Sequence, residues 1–396
     1  MTKKFQDLDM CDPKTHDDPW EMLEYLRENE PLYWDPHNEL WYVFRYDDIV
    51  EISRDPETFT STEGNRPHLP PDPSMIHQDG EAHRKQRGLV AQGFSPKYIR
   101  QQEPHIREIV IELLTPRIPE GTMDLVEHLA APLPMRVIGD MLGVPREKHA
   151  SILELIDKFL QGGQGPQYVD DAVNEAFGAF AEHHEEMLAA IGEDPQGDDL
   201  LSRWIRAELE GEKLTEDQLL FEHTLLNVGG AETTRSALSG GLEELARHPD
   251  QYELLYQKLD DREFVENACE EIIRWVTPFH NMFRTATRDV EMHGKVIKAG
   301  QMVGLQYPAA NRDPRHFKDP YKFDITRDFT TKHISFGYGS HFCLGASLAR
   351  MELRVALEEF VSRIKNLRLD PAHPPVWVSS SFVRGPKSTR VLFEAR

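Results

Sequence analysis

"FGYGSHFCLG", residues Phe336–Gly345, places one of the chain's three cysteines between closely set glycines and just ahead of a helix-like run. Gly337 and Gly339 permit tight turns with positive φ, and Gly345, which has no Cβ, lets a flat ligand approach the backbone closely. Phe336 offers a ring face to pack on such a ligand. A helix that begins near Leu344 aims its N-terminal N–H groups and its dipole at the Cys343 sulfur, which favours a thiolate.

Three chemistries compete for that thiol. A nucleophile wants a base, and His341 is two residues away, yet residues so spaced in an extended loop point the same way without having to meet. A zinc ligand wants further thiolates, and Cys11 and Cys269 are far off in sequence. An axial ligand of a haem iron needs no second cysteine. An inert buried cysteine is the bland alternative.

Composition narrows the field. Hydrophobic residues make up 39% and charged ones 29%, which indicates a sizeable core and excludes a disordered chain. A net charge of -23 argues against a general nucleic-acid binder. The opening residues lack a signal-peptide pattern and no apolar run reaches membrane-spanning length, so a cytoplasmic protein without a membrane partner is expected. One run departs from the acidic balance: His83 to Arg100 holds five Lys/Arg and no Asp/Glu, a face suited to an acidic partner protein.

Patterning predicts a mainly helical chain with a smaller β portion, an α+β unit read as one domain over 1–396. "LYWDPHNELWYVFRYDD" predicts two strands and a turn, and the proline-rich Glu63–Met75 a long loop. Helical patterning dominates from Asp79 to His248, broken at Gly93–Pro96, Gln161–Gln167 and Gly192–Asp199. Its longest helix starts at a Thr215 capping box, ends near Arg247 and spans roughly 50 Å at 1.5 Å per residue. A helix over Phe264–Thr277, strands around Phe283–Val303, an irregular stretch to Gly345, a helix to about Lys365 and strands near Val376–Phe393 complete the chain.

The loop around Cys343 resembles the haem-binding loop of the cytochrome P450 superfamily, Phe-x-x-Gly-x-x-x-Cys-x-Gly, and further motifs follow in the family's order. "EIIR" sets Glu271 and Arg274 at i and i+3 on one helix face, where they can pair. The resemblance completes the pair with Arg327 from "NRDPRHFKDPYKFDITR", a structural lock behind the haem. "GGAETTR" puts two glycines inside the central helix at a cost of about 1 kcal/mol each, so close packing or function must favour them. By resemblance the helix, lying over the haem, is distorted there to leave a pocket for dioxygen; Thr233 donates a hydrogen bond to that dioxygen, and Glu232 relays protons from solvent. The resemblance assigns His83, Arg87, Arg284 and His341 to the haem propionates and Cys343 to the iron, in the loop ahead of the last long helix.

What the resemblance implies is a monooxygenase with haem b as cofactor and O2 as co-substrate. No reductase segment or dinucleotide motif is apparent in the chain, so NAD(P)H is expected to act only through a separate ferredoxin and its reductase. The basic run with Arg350 and Arg354 is the expected docking face, tested by charge reversal at Lys85 and Arg354. Met75, Leu226, Gly229, Phe279, Met282, Phe382 and Val383 are expected around a small apolar substrate, and the enzyme is expected to be a monomer. "APLPMRVIGDMLGVP", "GGAETTRSALSGG" and "NMFR" are similar to the bacterial sterol side-chain hydroxylases, which implies a steroid or terpenoid and terminal hydroxylation of cholest-4-en-3-one. Another lipid or natural product, a peroxide-driven haem enzyme, a haem sensor and a haem-free cysteine hydrolase are the rivals.

Overall fold

A reciprocal cap starts the longest helix: Thr215 Oγ1 accepts from the Gln218 N–H at 3.2 Å, and Gln218 Oε1 accepts from the Thr215 N–H at 2.9 Å. The structure, a computed structural model, describes residues 5, 7–192 and 195–396. Its helices are α1 (Trp20–Asn29), α2 (Tyr46–Arg54), α3 (Gly80–Val90), α4 (Pro96–Leu114), α5 (Pro132–Leu142), α6 (His149–Gly162), α7 (Asp171–Ile191), α8 (Leu200–Arg206), α9 (Glu216–Arg247), α10 (Pro249–Gln257), α11 (Arg262–Val276), α12 (Tyr307–Ala310) and α13 (Ala346–Arg363). Strands are β1 (Leu32–Asp35), β2 (Leu40–Val43), β3 (Phe59–Thr60), β4 (Thr122–Asp124), β5 (Asn281–Ala286), β6 (Val290–Met292), β7 (Lys295–Ile297), β8 (Met302–Gln306), β9 (Ile364–Leu369), β10 (Val376–Trp377), β11 (Pro386–Ser388) and β12 (Arg390–Ala395).

Five strands form one sheet in the order β1-β2-β8-β5-β3, parallel only between β2 and β8. The main apolar core lies among the helices, with α9 running through it against α5, α11 and α13; two smaller cores flank the sheet. Helix α9 presses close to α11 because Gly241 faces Ile272, whose side chain would stand 2.4 Å from a Cβ there. At the end of α11, Thr277 turns left-handed with φ 44° and Pro278 follows, so the helix cannot continue.

Three strands escape the sequence pattern: the short β3, which pairs Phe59 with Ala286 of β5, and two strands of another sheet. β4 interrupts the helical region and β9 begins at Ile364, where a helix was expected to run on to Lys365. Both pair with β12 at the far end of the chain, Met123 opposite Val391 and Lys365 opposite Glu394, contacts to which local periodicity is blind. In the third helical break, Glu193 and Asp194 lie outside the described residues.

Behind the site, Arg274 forks onto Glu271 at 2.7 and 2.8 Å with both side chains fully buried, and Arg327 Nε reaches the same carboxylate at 2.9 Å. Arg274 Nη1 also donates to the Asn311 and Pro320 carbonyls, which ties α11 to the irregular stretch. Removing Arg274 leaves the fully buried Glu271 with Arg327 as its one remaining cation and opens a void in the interior. Arg274→Ala is therefore expected to cost about 3–5 kcal/mol, read as a lower midpoint in chemical denaturation; an unchanged midpoint would show that the lock does not hold the core.

Candidate functional site

Gly337 and Gly339 take φ of 71° and 74°, as the loop chemistry requires, and the Cys343 N–H donates to the Phe336 carbonyl at 2.9 Å to close the loop. A Cβ at Gly339 would stand 2.3 Å from the Ser53 carbonyl oxygen. Helix α13 begins at Ala346 rather than Leu344, with Gly345 as its N-cap. The Cys343 side chain is exposed, and Arg87 and Arg350 lie close enough to act on its sulfur. Burial pushes its thiol up, while the Gly345 and Ala346 N–H groups and the guanidiniums of Arg87 and Arg350 favour the thiolate. A Cβ built on Gly345, or on Gly229 of α9, would meet no atom within 4 Å.

Four donors gather near Cys343. The rings of His83 and His341 lie 4.3 Å apart, Arg87 donates to the Phe342 carbonyl at 2.6 Å, and Arg284 is almost wholly buried with a hydrogen bond to the Phe283 carbonyl. His83 is held to about 4 by burial and by His341, and its buried Nε2 has no protein partner. The sequence did not flag Asp79, which accepts from Thr60 Oγ1 and the Ser61 N–H and meets His341 Nε2 at 3.0 Å. Burial raises its carboxyl, yet hydrogen bonds from His341, Thr60 and Ser61 win and hold it at about 2. Its only signal was an Asp-Gly pair at the start of α3. Two arginines and two histidines against one carboxylate leave the site suited to a further acid.

Helix α9 is continuous through Gly229–Thr233. The two glycines have separate reasons: Gly230 packs on Ile138 of α5, whereas Gly229 faces open space. Thr233 Oγ1 donates to the Gly229 carbonyl at 3.0 Å, a return bond that competes with the helix ladder and favours a local bend. Glu232 is buried, accepts from Ser236 Oγ at 3.0 Å and is ion-paired with Arg235; Arg235 also donates to Asp157 of α6 at 2.7 Å. Burial pushes the Glu232 carboxyl up to about 7 against the pull of Arg235. Because Asp157 is exposed, a line of ionisable groups joins solvent to the helix face beside Thr233.

The expected substrate wall splits into two groups. Phe279 and Phe382 rings are 5.1 Å apart and Phe279 bridges to Val383, with Met282 nearby; Met75 and Leu226 lie on the α9 side, where Met75 N–H donates to Glu222 at 2.6 Å. Arg66, unnoticed in the sequence, joins the first group together. Its Nε donates to the Gly163 carbonyl at 2.8 Å, Nη1 and Nη2 donate to the Asn281 backbone and side-chain oxygens, and its guanidinium lies 3.6 Å from the Phe382 ring centroid. One side chain thus links the proline-rich loop, the α6–α7 turn, β5 and the C-terminal tail. Its signal was the one arginine of the proline-rich loop.

The basic run does not present the expected face. Arg354 is 4% exposed, locked between Glu103 and Glu358 at 2.6 and 2.7 Å, and Lys85 is held by Glu81 and Glu212. Arg350 forks onto Glu270 and Arg84 pairs with Glu210. Acids from distant segments neutralise these cations, so a contiguous window of sequence overstates the charge. Among the described residues of the run, Lys97 and Arg100 remain exposed without a carboxylate partner.

An accessible thiol backed by two N–H groups, Gly229 and Gly345 with open space where a Cβ would stand, an orphaned buried His83 nitrogen and an excess of cations together fit haem: a flat iron macrocycle with two carboxylates. A family model described as Cytochrome P450 matches residues 14–393. A steroid C26-monooxygenase of Mycolicibacterium smegmatis is 38% identical over 94% of this chain and 92% of its own length. A methyl-branched lipid omega-hydroxylase of Mycobacterium tuberculosis is 34% identical over 93% and 89%. A solved cytochrome P450 of Bacillus megaterium in complex with testosterone superposes with a TM-score of 0.88 at 30% identity, over 96% of this chain and 99% of that one.

Proposed function

Because the chain belongs to the cytochrome P450 family and is a monooxygenase with haem b and O2, we propose that its substrate is a steroid, or a lipid with a branched aliphatic end, hydroxylated at a terminal methyl group. When bound, the haem supplies oxygen activation and the thiolate's electron push. The protein's own residues do the rest. Cys343 holds the iron, and His83, Arg87, Arg284 and His341 hold the propionates, with Asp79 orienting His341. Thr233 presents a hydroxyl to the oxygen pocket, and Glu232 passes it protons drawn from solvent, while Arg235, which keeps its own proton, and Asp157 hold the Glu232 carboxyl in place. Glu271, Arg274 and Arg327 lock the core, and the whole chain acts as one catalytic unit.

The apolar wall of Phe279, Met282, Phe382 and Val383 is the observation that carries the substrate class, supported by the steroid and branched-lipid names of the relatives. Cholest-4-en-3-one combines a flat ring system with a branched tail and ranks first. A spectroscopic titration with cholest-4-en-3-one, testosterone and a methyl-branched fatty acid tests it: a saturable spin shift is expected with the sterol, whereas no shift with any of the three would overturn the class. A shift with the branched acid alone would select the lipid reading.

Arg66 positions that wall. Arg66→Gln is expected to raise the sterol dissociation constant about tenfold, equivalent to ~1.4 kcal/mol, without altering the thiolate spectrum. Unchanged affinity would remove Arg66 from the pocket's architecture.

Electrons are drawn from a ferredoxin and an NAD(P)H-dependent reductase in the cytoplasm, to a monomeric enzyme. Among the described residues no helix is long and apolar enough to cross a membrane. Lys97 and Arg100 are the cations left to meet such a partner. The ionisable line ending at Glu232 favours reductive oxygen activation over a peroxide-driven reaction, which has less need of delivered protons.

A further inference from the structure

Behind the substrate wall, four basic side chains are buried together: His16 and His280 at 0% exposure, Arg312 at 2% and Arg384 at 8%. The two imidazoles lie 5.6 Å apart. Both guanidiniums lie over the same indole, Arg312 at 3.7 Å and Arg384 at 5.6 Å from the Trp20 ring, with Trp275 and Trp377 flanking them. No carboxylate comes within ion-pairing distance of either arginine among the described residues; the acids nearest Arg384, namely Asp18, Glu243 and Asp17, act only at longer range.

Each member makes too few hydrogen bonds. Arg312 Nη2 donates to the Trp275 carbonyl and Arg384 Nη2 to the Asp17 carbonyl, while Arg312 Nη1, Arg384 Nε and both ring nitrogens of His280 have no protein partner. His16 Nε2 sits 3.0 Å from the Met10 carbonyl. A carbonyl only accepts, so that nitrogen carries the proton and Nδ1 turns a lone pair to the cluster. The donors left over are therefore the two guanidiniums and one His280 N–H. Two guanidiniums buried near one another without a carboxylate partner are strongly unfavourable unless a negative charge joins them.

We propose that Arg312, Arg384 and His280 form a binding site for one small monovalent anion, halide in chemistry. The three unpartnered donor groups match the coordination of a single small ion, and the three indoles around the arginines make a soft, polarisable wall. An oxyanion such as phosphate would demand more donors than the cluster offers. The site is coupled to the pocket through the backbone: the His280 N–H donates to the Phe382 carbonyl at 2.8 Å and the Arg384 N–H to the Pro278 carbonyl at 2.9 Å. A bound anion thus stiffens the segments that carry Phe279, Phe382 and Val383.

The test uses the haem-loaded full chain in halide-free sodium gluconate, titrated with sodium bromide at constant ionic strength while thermal unfolding is followed. A saturable rise in the unfolding temperature is expected, and it should vanish in Arg384→Met. Crystals soaked in bromide should give an anomalous peak between Arg312 Nη1, Arg384 Nε and His280. Unfolding that does not respond to bromide, a rise that never saturates, or water density in place of the anomalous peak would overturn the proposal.

Discussion

Glu232→Gln is expected to lower turnover about 10²-fold and to remove a break near pH 7 from the kcat profile. In the native chain the Glu232 carboxyl, pushed up to about 7 by burial, is protonated and able to donate below that pH. Turnover should fall as pH rises through 7, and the glutamine variant should show no such fall. Stability moves in the same direction. The folded value is raised above the ordinary carboxyl value of 4.5, so the native state binds the extra proton and loses stability as pH climbs from about 4.5 through 7. The variant should therefore have a flatter stability curve over that window. A pH profile that keeps its break would remove Glu232 from the proton path. Thr233→Ala acts at the far end of the same path: NAD(P)H consumption should persist while product falls and hydrogen peroxide rises.

Cys343→Ala should abolish hydroxylation altogether, a loss of at least ~10³-fold, because no other side chain in the loop offers a thiolate to the iron. Haem should still bind, more weakly, since Arg87, Arg284, His83 and His341 remain to hold the propionates. The spectroscopic signature must change with the ligand. Retained hydroxylation in this variant would mean that the ligand lies elsewhere.

Residues whose role is local were legible in the sequence. The Thr215 capping box, the positive φ of Gly337 and Gly339, and the i, i+3 pairing of Glu271 with Arg274 follow from chemistry within a few residues, and each is present. Residues whose role depends on a distant partner were not. Asp79 matters through His341, which is 262 positions away, and Arg66 through Asn281 and Phe382; neither leaves a periodicity or a motif. The charge run from His83 to Arg100 misled for the same reason, since Glu210, Glu212 and, beyond the run, Glu103 cancel cations that look free in sequence. Strands β4 and β9 belong to this class too, because β12 alone gives them a partner.

The thiolate ligand is the point on which all these roles depend, and one spectrum addresses it. Purified protein, reduced with dithionite and exposed to carbon monoxide, should show the red-shifted Soret band of thiolate-ligated haem, and the band should be lost in Cys343→Ala. A Soret band at the position of imidazole-ligated haem, or a band that survives the substitution, would contradict the assignment of Cys343.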